Sequence, residues 1–248
     1  MTDRRVLIVT GGGRGIGAEI VRRAAAKGYA VCFSYARNAE TADRLRAEIE
    51  AMGHAVTAAR SDVAEPDAAL HIFDAAETAF GPVTDLVNNA GITGRIGAFG
   101  ETEPGSMRRV IDVNLMGTMY CAREAVRRWR TRGTAGCMVN ISSVAATLGA
   151  PNEYVPYAAA KAGVETMSVG LAKETAASGI RVNVVSPGTV YTDIHAAAGE
   201  PDRPTRVVAR VPMGRIGEPH EIADAVLFLL SPEASFITGS ILRVSGGV

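Results

Sequence analysis

Val6-Leu7-Ile8-Val9-Thr10-Gly11-Gly12-Gly13-Arg14-Gly15-Ile16-Gly17 is a short apolar run that passes directly into a glycine-rich turn and then into helix-forming residues. Strand, turn and helix in this order open a βαβ unit. Glycines let the backbone turn tightly and come close to a pyrophosphate, and the following helix N-terminus favours the anion. In a chain with 27 glycines the spacing alone is a weak signal. Its position at the first strand-to-helix turn gives it weight; the competing reading is a turn that only lets helix and sheet pack.

Outward from this turn, β-branched or apolar runs alternate with longer helical patterns. Strands are predicted over residues 5–10, 30–35, 55–60, 85–88, 137–142, 181–185 and 240–244. Amphipathic stretches at 40–52, 66–80, 107–130, 156–178 and 219–230 separate several of them. Strands that are apolar on both faces and joined by helix-length connections predict an α/β fold, a Rossmann-like doubly wound sheet of about seven parallel strands with helices on both faces. No linker, repeat or low-complexity segment divides the chain, so a single domain over 1–248 is expected. Residues 189–210 carry Gly199, Pro201 and Pro204 without periodicity and follow a strand end. They are expected to cover the binding crevice as a lid.

Composition narrows the function. Lys+Arg and Asp+Glu both number 26, which argues against nucleic-acid or membrane-surface binding. A near-neutral chain is less protected from self-association, so an oligomer is expected. Cys32, Cys121 and Cys137 form no metal-ligand spacing and fit buried apolar positions in a reducing compartment. The apolar run after Met1-Thr2-Asp3-Arg4-Arg5 is too short for a signal sequence, and nothing approaches a membrane span. A cytoplasmic location with no bound metal is the expectation.

The chemistry centres on Pro156-Tyr157-Ala158-Ala159-Ala160-Lys161. On a helix, Tyr157 and Lys161 lie one turn apart on one face, and Pro156 suits the first turn. A free tyrosine has a pKa of about 10; a nearby ammonium and the positive helix end would lower it toward working range. Six tyrosines and three lysines placed at random would yield roughly 0.07 such pairs, so a chance solvated pair is a poor explanation. Upstream, Met138-Val139-Asn140-Ile141-Ser142-Ser143 ends in two hydroxyls at a strand's carboxyl edge, where open α/β sheets bind ligands.

In this ordered set the chain resembles the short-chain dehydrogenase/reductase family over essentially its whole length. The resemblance rests on the turn 10–17, Asp62-Val63, Asn88-Asn89-Ala90-Gly91, Asn114, Ile141-Ser142-Ser143, Tyr157 with Lys161, and Pro187-Gly188 followed by Thr192. It implies an enzyme that interconverts a carbonyl and an alcohol by direct hydride transfer with a nicotinamide cofactor. It also implies that Ser143, rather than Ser142, orients the substrate and that Tyr157 exchanges the proton. Lys161 would bind the nicotinamide ribose, and Asn114 would maintain a water-linked relay toward it. The cofactor groove would include Gly11, Arg14, Gly15, Ile16 and Gly17 at the phosphates and Asp62 with Val63 at the adenine. Asn89, Ala90 and Gly91 would line its middle, and Pro187, Gly188, Val190 and Thr192 its nicotinamide end. A homotetramer is the implied assembly. Local readings compete for Asn114, as a helix-interior amide, and for Asp62, as a cap before the next helix. Ser143 and Tyr157 stand 14 positions apart, more than is common in the family, which enlarges the loop beside the substrate.

At the end of the second strand, Ser34-Tyr35-Ala36-Arg37-Asn38 holds no carboxylate to select a free ribose 2′-hydroxyl. Arg37, together with Arg14, favours the 2′-phosphate of NADP(H), with NAD(H) as the alternative. The substrate is a small-molecule carbonyl or alcohol. Asn152, Glu153, Tyr154 and His195 are candidates for binding sugar hydroxyls, which would make a sugar 1-dehydrogenase. The arginines at 127, 128, 130 and 132 could instead meet an acidic carrier, as in 3-oxoacyl-carrier reductases. A cofactor-binding regulator without chemistry is the alternative from another class, and the intact Ser143, Tyr157, Lys161 and Asn114 set speaks against it.

Overall fold

The computed structural model describes residues 4–248. The first three residues of the N-terminal stretch read above, and of the expected domain 1–248, lie outside the described residues. Chain order runs β1 (Val6–Val9), α1 (Gly15–Ala26), β2 (Ala30–Tyr35), α2 (Ala39–Ala51), β3 (Val56–Arg60), α3 (Ala68–Phe80) and β4 (Asp85–Asn88). It continues through α4 (Pro104–Ile111), α5 (Gly117–Arg132), β5 (Gly136–Ile141), α6 (Ala145–Leu148), α7 (Val155–Thr175) and β6 (Ile180–Pro187). The last elements are α8 (Ile194–Ala197), α9 (Arg203–Val207), α10 (Pro219–Leu230) and β7 (Ile241–Val244).

All seven strands are parallel, in the order β3-β2-β1-β4-β5-β6-β7. The order reverses between β1 and β4, which leaves a crevice at their carboxyl ends. Strand side chains alternate between two cores. Leu7 and Val9 pack with α1, α2 and α10 on one face, while Val6 and Ile8 pack with α3 and α5 on the other. Burial on both faces is why the strands read as continuous apolar runs rather than alternating ones.

Two predicted elements differ in the structure. The helix expected over 107–130 is α4 and α5 joined by one π-helical turn, Asp112–Met116. Asn114 sits inside that turn and bonds a carbonyl of another segment, a tertiary cause invisible to periodicity. The stretch 189–210, expected to be irregular, contains the short helices α8 and α9. Each is about one turn long, too short to show an amphipathic period.

Candidate active site

The carboxyl edge of the sheet opens onto a cavity of about 810 Å³. At one end lies the glycine turn, tied to the switch point by a polar clamp. The Thr10 hydroxyl accepts from the Asn89 and Ala90 amides at 3.0 and 3.1 Å. The Asn89 side chain donates back to the Thr10 and Gly11 carbonyls at 3.1 and 3.0 Å. The Ser34 hydroxyl, from the end of β2, accepts from the Gly11 amide at 3.2 Å.

This end fits the pyrophosphate of a dinucleotide. No side chain caps the N-terminus of α1, and no acid occupies its first turn, so its amides remain free to meet an anion. Gly15 adopts a φ of +54°, a conformation that suits glycine. A Cβ on Gly17 would fall 2.4 Å from the Gly11 carbonyl oxygen. Both observations require glycine where the motif places it.

Beyond β2, Arg14 and Arg37 line the cavity and are exposed. Neither makes an ion pair among the described residues. Asn38 is occupied as the cap of α2, accepting from the Thr41 amide at 3.0 Å. Asp62 lines the wall nearby, where it accepts from the Ala64 amide at 3.2 Å and pairs with Arg109 at 2.5 Å. It does not cap α3, whose N-cap is Asp67.

At the other end stand Ser143, Tyr157 and Lys161. Tyr157 is the third residue of α7, and Pro156 lies in the first turn. Lys161 is buried one turn further on; its Nζ donates to the Ile141 carbonyl at 2.7 Å and lies 5.6 Å from the centre of the Tyr157 ring. Ser143 follows β5, takes the Ala145 amide on its hydroxyl at 3.2 Å, and lies near enough to the Tyr157 phenol to pull its pKa down. Ser142 is engaged elsewhere, donating to Glu165 at 2.8 Å.

The electrostatics differ from expectation. Burial pushes Tyr157 up to about 12, against a partial pull downward from the Ser143 hydroxyl and the Arg203 charge. Burial also pushes Lys161 down to about 8. The lysine is no cause of lowering here, because its amine sits beside the ring and is held by a backbone carbonyl. Desolvation therefore outweighs the expected help from the ammonium and the helix end.

Every other predicted site residue lines this cavity, including Ile16, Val63, Ala90, Gly91, Pro187, Gly188, Val190 and Thr192; Asn114 does not. Its amide donates to the Ile92 and Val110 carbonyls at 2.7 and 2.8 Å and accepts from the Ile92 amide at 3.2 Å. It therefore sits as an interior clamp behind Gly91. Sequence reasoning missed Arg109 and the partnership of Glu153 with Arg203. Pairs separated by 47 and 50 positions leave no local signal.

The arginine run offers no free basic patch. Arg127 pairs with Glu124, and Arg128 with Asp74, Glu77 and Glu124; Arg130 pairs with Glu174, and Arg132 with Glu77. Among the described residues no helix is long and apolar enough to cross a membrane.

A glycine turn at a sheet's switch point, joined through one cavity to a serine, tyrosine and lysine, defines a dinucleotide-dependent oxidoreductase. Residues 11–248 match a family profile described as Enoyl-(Acyl carrier protein) reductase. The chain is 40% identical over 244 residues to an uncharacterised oxidoreductase of Escherichia coli K12, covering 98% of this chain and 99% of that protein. It is likewise 40% identical over 243 residues to the acetoacetyl-CoA reductase of Shinella zoogloeoides, covering 98% of each. A crystal structure of a dehydrogenase/reductase from Sinorhizobium meliloti superposes with a TM-score of 0.90 at 33% identity, over 98% of this chain and 94% of that one. The chain belongs to the short-chain dehydrogenase/reductase family, and it is an oxidoreductase.

Proposed function

We propose that this enzyme interconverts a carbonyl and a secondary alcohol with NADP(H), using Tyr157 as the proton-exchanging group. The observation that carries this reading is the meeting of Ser143, Tyr157 and Lys161 in the cavity that begins at the glycine turn. The bound nicotinamide supplies or accepts the hydride. Ser143 donates to the substrate oxygen and orients it. The Tyr157 hydroxyl gives its proton to that oxygen in reduction and recovers it in oxidation. Lys161, anchored to the Ile141 carbonyl, holds the nicotinamide ribose and fixes the ring beside it. Gly11, Gly15 and Gly17 admit the phosphates, Asp62 meets the adenine, and Asn114, behind Gly91, maintains a water-linked relay toward Lys161. Arg37 and Arg14, without an ion pair among the described residues and beside a β2 end that holds no carboxylate, favour the 2′-phosphate.

The proposal extends to a single catalytic domain whose 189–210 segment covers the substrate, and to a cytoplasmic homotetramer. Three buried free cysteines support a reducing compartment. Met213, Phe228 and Phe236 are exposed apolar side chains that support self-association. Light scattering would read a tetramer; a monomer would overturn the assembly. The activity is tested by following NADPH absorbance with simple ketones, polyhydroxy ketones and acetoacetyl-CoA. No turnover with any of them, despite NADPH binding, would overturn the reaction.

A further inference from the structure

Near Ser143 and Tyr157, two segments supply the cavity wall that the cofactor groove does not use. One is the enlarged loop before α7, and the other is 189–210. Their apolar contribution is Val144, Leu148, Ala150, Ile194 and Val207, with Val211 just beyond the second segment. Apolar lining alone does not exclude a sugar, because a few polar groups suffice to bind hydroxyls. What matters is whether those groups are free.

They are not. The Glu153 carboxylate accepts from Arg203 at 2.6 and 3.1 Å and from Arg206 at 2.8 Å. The remaining charge of Arg206 is met by Glu200, and the Arg203 guanidinium lies over the Tyr154 ring at 5.1 Å. His195 is buried with its Nε2 against the Val190 carbonyl at 3.0 Å. The Thr93 hydroxyl donates to the Gly94 carbonyl at 3.0 Å. Asn152 is exposed at a φ of 59° and does not line the cavity. Arg210 lines the cavity at an exposed position. A substrate hydroxyl in the interior would have to break one of these bonds or go unpaired, at a cost per group comparable to a lost hydrogen bond.

We infer that the substrate end takes a ketone, or the corresponding secondary alcohol, whose body is hydrocarbon, and that it excludes polyhydroxylated carbonyls. This rests on the carbonyl–alcohol reading above. The tyrosine and serine would meet the single oxygen, and the wall would meet carbon.

The test uses the full chain with NADPH and the 2-ketones from butanone to octanone, beside dihydroxyacetone and erythrulose. Each added methylene is expected to lower KM about fourfold until the wall is filled, the fold-change equivalent to about 0.8 kcal/mol per buried CH₂. The hydroxylated ketones should show kcat/KM lower by about 100-fold or more, the loss that about 3 kcal/mol for unpaired hydroxyls produces. In the NADP+ complex, 2-alkanols should raise Tm in the same chain-length order. Leu148→Ser, at an exposed and therefore tolerant position, should raise KM for 2-octanone several-fold while leaving the NADPH Kd unchanged. A flat KM series, or erythrulose turned over as well as 2-hexanone, overturns the substrate class and leaves the reaction standing. Failure to reduce every carbonyl, with NADPH still bound, overturns both.

Discussion

Glu153, the fourth residue before Tyr157, holds Arg203 of α9 at 2.6 Å across 50 positions of chain. The bond joins the two segments that flank the substrate end, and both side chains are nearly buried, at 14 and 12% exposure. The Gly97 amide adds to the same junction by donating to the Glu153 carbonyl at 2.9 Å. Through Tyr154, whose ring meets that of Tyr157 edge-on at 5.5 Å, the junction reaches the residue proposed to exchange the proton.

Glu153→Gln is expected to loosen α9 and raise KM for the ketone several-fold with a smaller change in kcat. Burial alone would raise the Glu153 pKa, but the Arg203 and Arg206 hydrogen bonds hold it below the usual carboxylate range. A carboxyl lowered in the folded state contributes stability above its unfolded pKa, and loses it as pH falls through the folded value. Proteolysis near residue 200 should therefore be constant between pH 5 and 8, and rise only below about pH 4. A rise already at pH 6 would contradict the ion-pair account.

Tyr157→Phe should lower kcat by about 10² to 10⁴, the range for loss of a general acid. It should leave NADPH binding, followed by fluorescence, within a few-fold of the parent. Unchanged turnover would remove Tyr157 from the reaction.

Lys161 is pushed down to about 8 by burial, so between pH 8 and 10.5 the unfolded chain binds more protons than the folded one. Stability then rises with pH through that window. The buried Tyr157, raised to about 12, acts oppositely above pH 10. Urea midpoints measured from pH 7 to 10 should rise less in Lys161→Met than in the parent. Equal slopes would show that the amine is not desolvated in the folded chain.

Replacing Arg37 by Gln should cost about 10- to 100-fold in the NADPH Kd, the equivalent of 1.5–3 kcal/mol for a charged hydrogen bond. NADH binding should be almost unaffected. Equal losses for both cofactors would assign Arg37 a general rather than a 2′-phosphate role.

Arg128 is a structural counterpart, buried on α5 among Asp74, Glu77 and Glu124 and over the Phe73 ring at 5.3 Å. Arg128→Leu strands carboxylates that its charge now satisfies, and should destabilise the fold by about 3–5 kcal/mol. Thermal unfolding would measure it. A change under 1 kcal/mol would mean that water replaces the arginine there.

Much of the architecture was legible in local residues. Periodicity and β-branched runs placed all seven strands within a few residues: the five inner strands read as apolar because they are buried on both faces, while the edge strands β3 and β7 are partly exposed. The turn 10–17 was legible because glycine alone meets the steric demand at Gly15 and Gly17. Tyr157 and Lys161 were legible because helical spacing carries a side-chain pair to one face. The π-turn around Asn114, the Asp62–Arg109 pair and the Glu153–Arg203 bond were not, since each depends on segments far apart in the chain.

The division follows from the range of the forces. Residue order by itself determined the alternation of elements, the glycine turn and the one-turn spacing of Tyr157 and Lys161, all set by sterics and periodicity over a few residues. Tertiary structure alone decided how those side chains are solvated and which polar groups remain free. It buried Tyr157 and Lys161 so that desolvation dominates both, and it engaged Glu153 and His195 before any substrate arrives. Solvation and pairing depend on what surrounds a group from every direction, and only the folded chain supplies those surroundings.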